Sequence, residues 1–226
     1  LEQAGELDNT IIVAVSDNGS SGEGGPNGSF NEWRFFNGIA DTTELVLEHI
    51  DELGTPASNN HYNTGWAWAL DTPFPYWKRW AGAEGGVADM CLVSWPAKIA
   101  PQDDPRPQYI HAVDVVPTIY DLLGITPPAV VNGEPQDPID GVSLAYTFAD
   151  AAAPPRKTEQ YFENSGSRAL YQDGWLASAF GPVTPWATAG VDYAAWDADA
   201  DVCTLHDPTK DFSASVDLAA ENPERL

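Results

Sequence analysis

Asp17 and Asn18 set a carboxylate and an amide carbonyl side by side, hard oxygen ligands of the kind that calcium and magnesium take. They follow the apolar, β-branched run Thr10-Ile11-Ile12-Val13-Ala14-Val15 and precede a stretch, residues 20–29, rich in Gly, Pro and Asn. The pair therefore sits on the carboxyl lip of a predicted strand that opens into a long loop, a common place for ligands in α/β proteins. An Asp-Asn-Gly turn is also an ordinary structural device, so two oxygens alone do not define a metal site. Lys78 is the next candidate, in Thr72-Pro73-Phe74-Pro75-Tyr76-Trp77-Lys78-Arg79-Trp80. An ammonium in so aromatic a segment could bind an anion; equally, Lys78 and Arg79 could be surface charges whose stems lie on Trp77 and Trp80. Among the histidines, His61 is the best loop candidate for acid or base work, His111 opens a predicted helix, and His49 and His206 read as structural.

Other chemistries fail on spacing. No Cys and His cluster has zinc spacing, no Gly-x-Ser-x-Gly elbow is present, and residues 19–28 lack the Gly-Lys-[Ser or Thr] ending of a phosphate loop. Cys91 and Cys203 each lie in an apolar run where a buried free thiol is the default, with a disulfide between them left open. The 34 acidic against 10 basic side chains give a net charge of -24, which would repel nucleic acid and anionic membranes and attract a divalent cation. With 226 residues, 43% of them hydrophobic, the chain can bury a core. No stretch has the length of a membrane span.

The elements that must position these residues alternate between strand, helix and loop. Residues 10–15 read as a strand buried on both faces of a parallel or mixed sheet, and residues 90–95 as a second strand closed by Pro96. Residues 41–53 have helical spacing with Gly54 as a stop, and residues 114–123 read as a helix with Pro117 in its first turn. The start of the chain reads as mid-helix and residues 217–226 as a helix just begun. From about residue 158 the pattern changes to short antiparallel strands, two of them joined by the turn Asp173-Gly174. Residues 150–155, rich in Pro and Ala, read as a linker, which divides the chain into residues 1–157 and a small antiparallel subdomain, residues 158–226.

The run Asp8-Asn9-Thr10-Ile11-Ile12-Val13-Ala14-Val15-Ser16-Asp17-Asn18-Gly19 resembles the segment of type I sulfatases in which a strand delivers an Asp and an Asn to the active-site metal. Gly65-Trp66-Ala67-Trp68-Ala69, Asp71-Thr72-Pro73-Phe74 with Lys78, Gly85-Gly86 and Ser94-Trp95-Pro96 follow in the order and spacing of bacterial arylsulfatases. His111-Ala112-Val113-Asp114-Val115-Val116-Pro117-Thr118-Ile119 and Arg168-Ala169-Leu170-Tyr171-Gln172-Asp173-Gly174-Trp175 are similar to later family segments.

The resemblance implies an α/β, alkaline-phosphatase-like mixed sheet flanked by helices, with 1–157 as the C-terminal part of its catalytic domain. It implies that Asp17 and Asn18 ligate calcium or, less often, magnesium, and that Lys78 contacts the sulfate of an ester, either a sulfated glycan or an aryl sulfate. The family's nucleophile is a formylglycine made from Cys in Cys-x-[Pro or Ala]-x-Arg. Cys91 is followed by Leu-Val-Ser-Trp and Cys203 by Thr-Leu-His-Asp, so the nucleophile is expected in an N-terminal half outside this chain. The chain alone is accordingly expected to be inactive. Ala83 and Ala88 stand where related arylsulfatases often carry polar side chains, and no contact is carried over there. A periplasmic or secreted location is expected from the resemblance; it leaves the oligomeric state open. The alternatives are a phosphate or phosphonate ester hydrolase of the same superfamily and a non-catalytic remnant that binds a glycan or a partner.

Overall fold

The computed structural model describes residues 1–183 and 191–226. Its helices are α1 (Glu32–Phe36), α2 (Thr43–Glu48), α3 (Thr64–Asp71), α4 (Glu84–Val87), α5 (Val115–Leu123) and α6 (Tyr146–Ala149). Its strands are β1 (Ile12–Val15), β2 (Cys91–Ser94), β3 (Val130–Val131), β4 (Glu134–Pro135), β5 (Glu159–Asn164), β6 (Ser167–Gln172), β7 (Trp175–Ala179) and β8 (Thr204–His206). By packing, the chain divides into two compact units, residues 1–15 with 91–160, and residues 16–90 with 161–226.

In the first unit, β1 and β2 pair antiparallel, Ile12 opposite Ser94 and Val15 opposite Cys91. The expectation of a strand buried on both faces is corrected here. Ile12, Val15 and Leu92 are 39%, 48% and 57% exposed. β-Branched residues specify extended backbone, but burial requires layers on both sides, and alternation sends successive side chains to opposite faces. On one face, Ile11, Val13, Cys91 and Val93 surround a small apolar space together with Val115 and Ile119.

α5 forms as its sequence predicts. His111 accepts a hydrogen bond from the Val113 N–H, Asp114 accepts one from the His111 N–H, and Gly124 closes the helix at φ 64°. Asp114 is fully buried and also accepts from the Val142 N–H at 2.8 Å. The Lys157 ammonium, itself 7% exposed, lies 3.2 Å from its Oδ1. Thr118 extends this polar knot, donating to the Asp114 carbonyl and accepting from the Leu144 N–H. The start of the chain forms two 3-10 turns, Glu2–Ala4 and Leu7–Asn9, the first ended by Gly5 in the left-handed region, in place of the expected mid-helix.

The second unit contains α1 to α4 and a four-stranded sheet in the order β5-β6-β7-β8. β6 and β7 pair antiparallel with Gln172 opposite Trp175. The turn between them has φ 48° at Asp173 and 88° at Gly174, the positive angles that a two-residue hairpin with right-handed strand twist needs. Beside this sheet lies an aromatic core of Ala67, Trp77, Trp80, Ala83 and Val183, flanked by Tyr76 and Phe180. The expected helix over residues 41–53 is shorter: α2, capped by Thr42, stops at His49 and continues only as a 3-10 turn, Ile50–Glu52. The expected terminal helix is absent. Pro223, which lacks an N–H, starts a lone 3-10 turn, Pro223–Arg225, while the Leu218 N–H is drawn off to the Leu205 carbonyl.

Glu84 opens α4 and is buried; burial pushes its carboxyl from 4.5 to about 7. The folded state therefore holds this proton more tightly than the unfolded chain. Glu84 favours folding most at pH below its unfolded value, and that contribution is lost as pH rises toward 7. We expect the stability of wild type relative to Glu84→Gln to fall by about 3 kcal/mol or less across that window, read from urea unfolding at a series of pH values.

Candidate functional site

Past the end of β1, the Ser16 N–H donates to the Met90 carbonyl at 3.1 Å, extending the ladder by one rung. Asp17 and Asp89 are thereby brought close. Burial first, and the charge of Asp17 second, raise the Asp89 carboxyl, against a hydrogen bond from the Ser16 hydroxyl. Asp71, at the end of α3, is also raised, by burial and then by Asp89, although the Ser20 N–H donates to its Oδ1 at 2.8 Å. Its Oδ2 is buried with no hydrogen-bond partner.

The loop that follows is laid down tightly. A Cβ on Gly19 would stand 1.8 Å from the Gly85 carbonyl oxygen, so only glycine permits this approach. The Tyr62 hydroxyl accepts from the Ser21 N–H at 2.9 Å and shares a hydrogen bond with the Ser20 hydroxyl at 2.6 Å. Lys78 joins the same loop twice. Its N–H donates to the Ser20 carbonyl at 3.0 Å and its ammonium to Glu23 Oε2 at 3.2 Å. Burial would raise the Glu23 carboxyl, but the hydrogen bonds from Lys78 and then Ser21 outweigh it and hold the group below its ordinary value. The backbone around Lys78 is strained, with Tyr76 at φ 64° and Arg79 at φ 85°.

The structure thus gathers Asp17, Asn18 and Lys78 around one loop, with Asp17 exposed and Asn18 half-buried. Lys78 stands in sequence between core residues, Trp77 and Trp80 at 2% and 4% exposure, and its partly exposed ammonium pairs with the Glu23 carboxylate. His61 Nε2 lies 3.4 Å from Glu32 Oε2. His49 stacks on Phe30 and pairs with Glu52. Cys91 is half-buried, Cys203 is exposed rather than buried as expected, and both are free thiols.

The donor set suits a hard divalent cation. Asp17 and Asn18 are consecutive residues just past β1, where the Asp17 and Asp89 carboxylates repel one another, a repulsion that a cation would relieve. Among the described residues no three His, Cys, Asp or Glu side chains converge on one point, so Asp17 and Asn18 would be part of a cage and not the whole. Sequence reasoning did not single out Glu23, Tyr62, Asp71 or Asp89. Glu23 carried a signal, since it is the sole acidic residue in the Gly-rich stretch 20–29.

The family model described as Sulfatase matches residues 1–125. An arylsulfatase of Klebsiella aerogenes is 28% identical over 145 residues, covering 64% of this chain and 29% of that protein. An uncharacterized sulfatase of Schizosaccharomyces pombe is 28% identical over 128 residues, 57% of this chain and 22% of that protein. Among solved structures, PsFucS1 sulfatase from Pseudoalteromonas sp. superposes with a TM-score of 0.53 at 16% identity, over 96% of this chain and 34% of that one. A Bacteroides thetaiotaomicron protein solved in work on glycosaminoglycan metabolism superposes with a TM-score of 0.58 at 16% identity, over 100% of this chain and 38% of that one. The chain thus spans between about a fifth and two fifths of the length of these relatives.

Proposed function

The chain belongs to the sulfatase family, with the alkaline-phosphatase-like fold of its structural neighbours, and on that premise we propose that it supplies part of the active site of a sulfate ester hydrolase. Asp17 and Asn18 give two oxygens to a calcium or magnesium ion, and Lys78 binds the sulfate group. The observation that carries this reading is the common loop: residues 17–23 hold the metal pair at one end and the Lys78 ammonium at the other.

The chemistry of these side chains follows from their charges. A bound divalent ion would withdraw charge from sulfuryl oxygens as the S–O bond to the leaving alcohol breaks. Lys78 hydrogen-bonds the same oxygens, and Glu23, kept ionised, holds the ammonium in place before substrate arrives. Gly19 and Asp71 fix the loop through the close approach to Gly85 and the bond to the Ser20 N–H. This chain supplies no formylglycine precursor, because neither Cys91 nor Cys203 lies in Cys-x-[Pro or Ala]-x-Arg. In this reading the nucleophile and the remaining ligands come from elsewhere in the protein, residues 158–226 form a small C-terminal subdomain, and the substrate is a sulfated glycan or an aryl sulfate. A periplasmic or secreted location accords with the family; among the described residues no helix is long and apolar enough to cross a membrane.

The experiment is turnover of 4-nitrophenyl sulfate and 4-nitrophenyl phosphate with added calcium. The expected result is no turnover by the isolated 226 residues and sulfate-selective turnover by the whole protein. Turnover of the sulfate by the isolated chain, or preference of the whole protein for the phosphate, overturns the proposal.

A further inference from the structure

The second unit contains a cavity of about 240 Å³ with Tyr76, Glu84, Phe180, His206, Ser215 and Asp217 in its wall. It runs from an exposed rim, where Ser215 and Asp217 stand, to Glu84, which is 9% exposed. The Glu84 carboxyl takes part in no hydrogen bond among the described residues, so this group in the cavity wall has hydrogen-bonding capacity to spare. His206 and Asp217 in the wall are already engaged. His206 Nδ1 lies 2.9 Å from the Val216 carbonyl, which can only accept, so Nδ1 carries the hydrogen and Nε2 takes the Thr204 hydroxyl at 2.9 Å. Asp217 Oδ1 accepts the N–H groups of Leu205 and Ala219, which hold its carboxyl below the ordinary value.

We propose that this cavity is a binding site for a small organic ammonium ion, its head on Glu84 and its body against the Tyr76 and Phe180 rings. The chemistry of the wall selects that class. Its unsatisfied group is an acceptor, its rim carries a second carboxylate, and the chain bears a net charge of -24, all of which disfavour an anion. A bare metal ion is disfavoured because no three ligating side chains converge among the described residues. Tyr76 and Phe180, with ring centroids 4.6 Å apart, offer an aromatic surface that suits an ammonium and its carbon body. Around Glu84 the titratable groups are Tyr76, Tyr171, His206 and Asp217. Since burial keeps Glu84 protonated up to about 7, a cation that binds there must displace its proton to solvent.

Calorimetric titration of the full chain with n-butylammonium chloride, beside 1-butanol as a neutral control, tests this. At about pH 6 the expected result is saturable binding of butylammonium with release of close to one proton, seen as a dependence of the heat on buffer, and no proton release at about pH 8. Glu84→Gln is expected to weaken binding at least about tenfold and to abolish the release. Butanol binding as tightly as butylammonium, or unchanged binding and proton release in Glu84→Gln, overturns the proposal. Should Glu84→Gln fail to fold, the wild-type comparison of the two ligands and of the two pH values decides it alone.

Discussion

In the whole enzyme, Lys78→Ala is expected to lower kcat on an aryl sulfate by about 10²- to 10³-fold, the loss typical of removing one preorganised donor from a developing charge. Asp17→Ala should cost at least as much, since a metal ligand and its negative charge both go. The two losses differ in kind. Raising the calcium concentration should recover part of the Asp17→Ala activity, because weakened metal affinity is offset by mass action, and none of the Lys78→Ala activity. Glu23→Gln separates positioning from contact. It frees the Lys78 ammonium from its 3.2 Å partner without touching substrate, so KM and the pH profile should move more than kcat. Equal recovery of both variants by calcium would show that Lys78 acts through the metal and not on the sulfate.

The largest stability loss is expected at Asp114. Its carboxylate is fully buried among the His111 N–H, the Val142 N–H and the Lys157 ammonium. Asp114→Ala leaves two backbone donors unpaired and the buried Lys157 cation with only the neutral Gln160 oxygen at 3.0 Å, and should destabilise the chain by about 3–5 kcal/mol. Replacing both charges together, Asp114→Leu with Lys157→Met, should cost less than Asp114→Ala alone, because the orphaned ammonium is then removed as well. Urea midpoints of the single and double variants read this directly. A double variant weaker than the single would mean that the backbone bonds to Asp114, and not the ion pair, dominate.

Legibility in the sequence followed the range of the interaction. The β6-β7 hairpin was readable because its turn residues, Asp173 and Gly174, are those that tolerate positive φ, and α5 because its cap and stop are local. The ends of the chain read as helical in sequence but do not form α-helices: a helix is cooperative, Gly5 ends the first turn at the start, and Pro223, lacking an N–H, cannot continue the turn that closes at Asn222. The exposure of Ile12 and Leu92 was not readable, since apolar composition states what could be buried and not what covers it. Asp17, Asn18 and Lys78 are candidates by residue type and by resemblance, whereas the Lys78 to Glu23 pair spans 55 positions and no local pattern announces it. Asp71 and Asp89 were hidden for the same reason: their proximity to the loop exists only after the β1-β2 ladder and α3 have placed them.

The central claim is that Asp17 and Asn18 hold a divalent cation beside Lys78. The most direct measurement is diffraction from crystals of the whole protein grown with manganese in place of calcium, with the metal located by its anomalous signal. The account predicts a single strong peak within about 2.6 Å of a carboxylate oxygen of Asp17 and the amide oxygen of Asn18. A peak bound elsewhere, with both of these side chains free of it, would contradict the account.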